Sequence, residues 1–153
     1  MNSGNGISIA EICRKAVKVA ASGGWTLDYT PDSILSLEQL LDGQSRYAAS
    51  GEASDKYIWN AAVIFGVYLG QVLLRCRLEE CGYSWAAEED GVPYLKKDEK
   101  NAMYPINKVL RRIRNGPEDN VISFYDVSIK IAEDRLKPGR KSVSYTHLTL
   151  PTT

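Results

Sequence analysis

The stretch from Ala61 to Leu74 is apolar on nearly every side of a helix, and a helix without a polar face must be covered on most sides. This one run limits what the chain can fold into. Whatever surrounds residues 55–81 has to be built as a shell around a central helix. Gly66 and Gly70 stand four apart within it, which flattens one face and lets another element come close. The longer apolar run Ile58–Leu74 includes Asn60, Tyr68 and Gln71, and polar groups at bilayer depth are costly. The helix therefore reads as the core of a soluble fold, with no membrane partner expected. Asn60 and Gln71 need hydrogen-bond partners if buried.

The shell can be read segment by segment. Ser8 and Glu11 are spaced as a capping box, with Ile7 placed to staple against Ile12. Ile9, Ile12, Cys13, Ala16, Val17 and Ala20 follow at helical spacing, and Ser22-Gly23-Gly24 stops the helix. Trp25 to Tyr29 reads as a short extended piece. Thr30-Pro31 opens a second helix with Ile34, Leu37, Leu40 and Leu41 inward, ended at Gly43, and residues 44–54 read as a loop.

Gly82 caps the central helix. A hairpin then runs from Tyr83–Glu88 through Asp90-Gly91 to Val92–Lys97. Pro93 suggests an edge strand, and Ala102–Tyr104 a third strand. Pro105 starts a helix with Ile106, Val109, Leu110 and Ile113 on one side, closed by Asn115-Gly116-Pro117. A last helix spans about Asp119 to Leu136, burying Val121, Ile122, Tyr125, Ile129 and Ala132, and Lys137-Pro138-Gly139 ends it. Three helices, a meander and two helices predict an α+β domain, about five helices on a two- or three-stranded antiparallel sheet.

The tail Val143–Thr153 back-translates to the reverse complement of a transposase-type sequencing adapter. It resembles translated adapter, so residues 1–142 are taken as one globular domain lacking its true C-terminus. The only histidine, His147, belongs to that tail.

Four segments together resemble a group of small uncharacterised bacterial domains: Asp28–Ile34, Gly66–Val72, Gly82–Trp85 and Pro105–Gly116. The resemblance covers most of residues 27–116 and implies fold boundaries but no activity. In that group a glutamate often stands where this chain has Gln71, which implies a structural role for Gln71 here.

Function is constrained mainly by exclusion. Without a histidine outside the tail, Ser-His-Asp and Cys-His catalysis are ruled out, and no Gly-rich phosphate loop is present. Cys13, Cys76 and Cys81 form no CxxC pair; they read as reduced thiols of a cytoplasmic protein, with no metal and no cofactor expected. Glu88-Glu89-Asp90 offers paired carboxylates, which a solvated hairpin turn explains equally well. Nineteen basic side chains balance nineteen acidic ones, so no whole-molecule charge pulls the chain toward nucleic acid.

Two surfaces remain as candidates. Tyr68, Gln71 and Arg75 recur at three and four residues as a semi-polar stripe on the central helix. Trp25, Trp59 and Trp85 could join an aromatic pocket, although Trp59 and Trp85 read as core. Lys108, Arg111 and Arg112, with Arg114 and the upstream Lys96, Lys97 and Lys100, form a basic surface, alternatively the ordinary outer face of an amphipathic helix. The leading expectation is a non-catalytic, protein-binding or accessory domain of a bacterial cytoplasmic protein, such as an immunity or mobile-element-associated protein. The alternatives are a nucleic-acid-associated protein using residues 96–114 and an enzyme with a carboxylate or thiol site.

Overall fold

The computed structural model describes residues 8–136, with side chains through Glu133. Ile7, the Lys137-Pro138-Gly139 stop and the Val143–Thr153 segment lie outside the described residues. The order is α1 (Ile9–Ser22), α2 (Ser33–Ala49), α3 (Asp55–Leu73), a π-helical turn (Leu74–Leu78), β1 (Ser84–Ala87), β2 (Pro93–Asp98), β3 (Asn101–Met103), α4 (Pro105–Asn115), a 3-10 turn (Pro117–Asp119) and α5 (Val121–Leu136). This is the expected α+β class, with a three-stranded antiparallel sheet in the order β1-β2-β3.

The α3 helix is the core. Residues Phe65 to Gly70 are all buried, and 67% of its most apolar window is covered by the rest of the protein. Asn60 and Trp59 lie at its exposed end instead; Trp59 is 38% exposed, not core. The paired glycines act as the spacing predicts. A Cβ at Gly66 would lie 2.5 Å from the Ile106 Cα, and one at Gly70 would lie 2.5 Å from the Trp85 ring and 3.0 Å from Pro105. The first turn of α4 thus seats directly on the glycine face, closer than any side chain allows.

Local signals set most boundaries. Ser8 and Glu11 exchange both bonds of the capping box. Ser54 caps α3 by accepting from the Tyr57 N–H. The chain leaves the π turn through Gly82 at φ 98°, with the Tyr83 N–H bonded to the Leu78 carbonyl. Across the sheet, Trp85, Leu95 and Met103 stand side by side; Leu95 and Met103 are buried and Trp85 is half-buried.

Trp25–Asp28 runs outside any helix or strand, with Leu27 buried. Three expectations change. Thr30 does accept from the Ser33 N–H, but it closes a turn that precedes α2, which begins at Ser33. Gly43 does not end α2, which continues to Ala49. Glycine costs about 1 kcal/mol in a helix, and other contacts outweigh that: Arg46 pairs with Asp42 one turn back on α2, while across the loop Tyr57 donates to Gln44 and the Tyr47 and Tyr57 rings meet edge-on at 5.2 Å. Finally, Pro93 lies on the central strand β2, not on an edge. It is tolerated as the first residue, where β2 pairs with β1 alone because β3 reaches only Leu95 to Asp98.

Candidate functional site

The stripe on α3 divides into two environments. Gln71 accepts from the Trp85 indole N–H at 2.9 Å, which holds the ring over Gly70. This pair is a packing device that fixes the sheet against the helix. Tyr68 and Arg75 turn the other way, toward the segment that joins α1 to α2.

There they meet Tyr29, which sequence reasoning did not select as a site residue. Tyr29 has φ 67°, and among the described residues it is the non-glycine residue with positive φ. The left-handed conformation costs an L-residue about 1–2 kcal/mol, so its surroundings must hold it. They do so at both backbone groups. The Tyr29 N–H donates to the Tyr68 hydroxyl at 2.9 Å, and the Tyr29 carbonyl receives the Cys76 thiol at 3.9 Å. The Ser33 hydroxyl donates to the Thr30 carbonyl at 2.7 Å and lies 2.7 Å from the Tyr68 oxygen. With that serine proton committed, Tyr68 is the donor to Ser33. A continuous relay therefore runs from the Tyr29 N–H through Tyr68 and Ser33 to the Thr30 carbonyl, and such chains polarise each bond along them.

The strain places the Tyr29 ring. It packs against Tyr68 with centroids 5.1 Å apart, and the Arg75 guanidinium lies over it at 4.0 Å, a cation–π arrangement. Arg14, on the first helix beside Cys13, adds a second positive charge that acts on both the Tyr29 phenol and the Cys13 thiol. Of the arginines with described side chains, Arg46, Arg77, Arg111, Arg112 and Arg114 pair with carboxylates. Among the described residues Arg14 and Arg75 have no such partner. Both are exposed.

The titratable groups beneath are held in their neutral forms. Burial pushes the Cys13 thiol up to about 11 against the opposing pull of Arg75, and burial likewise raises the Tyr68 and Tyr29 phenols. Tyr125 is raised by burial and by the Cys76 thiol beside it. A nucleophilic cysteine needs the reverse shift. All three cysteines are free thiols. Among the described residues no group of three or more His, Cys, Asp or Glu side chains is placed to hold a metal ion. The Glu88-Glu89-Asp90 run is an exposed turn in which Asp90 accepts from the Val92 N–H.

The basic surface of α4 does not hold together as one face. Arg112 is 1% exposed, turned inward to donate to Glu38 at 2.8 Å and Asp42 at 2.9 Å. Its placement on an outer face is therefore corrected: helical spacing groups it with Lys108, but two carboxylates on α2 draw it into the core. Lys108 reaches Asp119 at 3.3 Å, Arg111 lies 3.7 Å from the same carboxylate, and Arg114 reaches Asp55 at 3.5 Å. Upstream, Lys96 pairs with Glu99, while the Lys97 stem lies against Gly82.

Sequence reasoning thus found Tyr68 and Gln71 on α3, Arg75 on the π turn that continues it and Trp85 on the sheet, but missed Tyr29, Ser33 and Arg14. The signal available was Asp28-Tyr29-Thr30-Pro31, a tight polar turn in which the Asp28 carboxylate accepts from the Thr30 hydroxyl; nothing in it specifies which residue takes positive φ. No protein-family model matches the chain, and comparisons with the curated proteins and with solved structures give no match.

Proposed function

We propose that this chain is a non-catalytic, protein-binding accessory domain acting in the cytoplasm, of the kind found in immunity or mobile-element systems, and that its partner docks on the Tyr29–Arg75 face. One observation carries the reading: Tyr29 is held in a strained conformation by a buried relay, and the strain serves to lay an aromatic ring beneath an exposed arginine that has no carboxylate partner among the described residues. Strain of this type is retained where surrounding structure fixes a surface for recognition. Aromatic and arginine side chains supply the anchors of most protein interfaces. The chemistry beneath the face supports binding over turnover, because burial keeps the Cys13 thiol protonated.

The experiment is affinity capture from bacterial lysate with the wild-type protein and Arg75→Glu, quantified by mass spectrometry. Arg75 is exposed and has no carboxylate partner among the described residues, so the variant loses only a cation–π contact of about 0.5–1 kcal/mol and should stay folded. The expected result is a specific partner enriched by wild type and reduced at least about tenfold by Arg75→Glu, since reversing one interfacial charge typically costs more than 1.4 kcal/mol. Identical capture by both proteins would contradict docking on this face.

A further inference from the structure

Arg75, on the π turn after α3, lies over the Tyr29 ring, and Arg14, on α1, lends a second positive charge to the same phenol. Neither has an ion-pair partner among the described residues, although the chain carries as many acidic as basic side chains. Among the described residues Arg77, Arg112 and Arg114 tie separate elements together through carboxylates, and two arginines without such a partner at one place depart from that pattern. The guanidinium of Arg75 lies against an aromatic face, which fixes its plane while leaving N–H donors at its edge. A planar fork of that kind matches the two oxygens of a carboxylate.

We propose that Arg75, stacked on the Tyr29 ring, together with Arg14 on α1, forms a receptor for the carboxylates of an acidic peptide segment on the partner protein. The proposal rests on the binding reading above and names the chemistry of the docked group. The neighbouring charges choose between anions. Asp28 is exposed next to Tyr29, its carboxyl held below its ordinary range by bonds from Thr30, and Glu11 is exposed three residues before Arg14. A single carboxylate needs only one guanidinium fork. The closely spaced phosphates of a nucleic acid would have to run past both Asp28 and Glu11, and like charges brought together cost free energy.

The test is a fluorescence-anisotropy titration at low ionic strength with three labelled probes: a short Glu-rich peptide, the same peptide with Gln for Glu, and a single-stranded oligonucleotide of comparable charge. The expected result is binding of the Glu peptide but not of the Gln peptide. Arg75→Gln should weaken the Glu peptide about tenfold and Arg14→Gln several-fold, as for loss of a charge-assisted hydrogen bond. Arg75→Lys should recover little, because lysine keeps the charge without the stacked fork. Equal affinity of wild type and Arg75→Gln, or no binding of the Glu peptide, overturns the proposal. Tighter, Arg75-dependent binding of the oligonucleotide overturns it in favour of a phosphate ligand. If the Glu peptide fails while lysate capture still depends on Arg75, the acidic-peptide assignment falls and the protein-binding reading stands. Melting temperatures matched to wild type confirm that each variant is folded.

Discussion

Arg112→Ala should lower stability by about 3–5 kcal/mol, the cost of stranding buried charge when one partner of an ion pair is removed. Arg112 is the largest of the fully buried side chains and joins three helices. It donates to Glu38 and Asp42 on α2, while the other oxygen of Glu38 accepts from the Val121 N–H at the start of α5. Its Nη1 atom is buried without a protein partner, so its positive charge depends on the two carboxylates. The double variant Arg112→Met with Glu38→Gln should recover part of the loss, because neutral glutamine still accepts from Val121 and leaves no unpaired charge at position 38. Urea denaturation of the three proteins at neutral pH checks this; a double variant less stable than Arg112→Ala would contradict it.

The latch also sets a direction with pH. The Arg112 hydrogen bond, followed by the charge of Arg46, holds the Asp42 carboxyl below its ordinary 3.8. A depressed folded-state value means that the unfolded chain binds the proton first. The stabilisation from Asp42 is present above about pH 4 and is lost as the pH falls through the folded value. Wild-type stability should therefore decline on acidification below pH 4, with a smaller Asp42 share in Arg112→Ala.

Substituting Gly66 by alanine should be the next most damaging change, at about 1–3 kcal/mol. The new methyl would meet the Cα of Ile106 at 2.5 Å and its backbone nitrogen at 3.0 Å. Neither can swing aside, so α4 would have to lift off α3. Alanine's better helix propensity offsets about 1 kcal/mol of this. Gly43→Ala on α2 is the matched control. Nothing lies within 4 Å of its Cβ position, so it should raise stability by about 0.5–1 kcal/mol. Thermal melts that moved both variants in the same direction would show that the glycine face of α3 is not the contact described here.

Those two results also mark where the sequence was readable. The buried helix, its glycine face, the Ser8–Glu11 box, the Asp90-Gly91 hairpin and the Pro105 to Asn115 helix were legible because each follows from local spacing or backbone chemistry. Gly43 misled because the last turns of α2 are held by Tyr57, which reaches Gln44 and Tyr47 across a loop. Arg112 was grouped with the outer face because periodicity measures angle around a helix, not the carboxylates waiting on another one. Trp59 reads as core from its helix alone, yet it takes the outer side of a turn whose inner side is Ile58 and is 38% exposed. Tyr29 was the hardest. Its positive φ depends on a hydroxyl thirty-nine positions away, which no local pattern encodes. The candidate site was therefore half visible, Tyr68 and Arg75 by their spacing, while the residue that organises them was not.

The account turns on where an acidic partner segment lands. Amide chemical-shift mapping of the ¹⁵N-labelled protein during titration with the Glu-rich peptide answers that directly. The predicted shifts centre on Arg14, Tyr29, Thr30, Arg75 and Cys76. Shifts confined to residues 96–114, or none at saturating peptide, would contradict it.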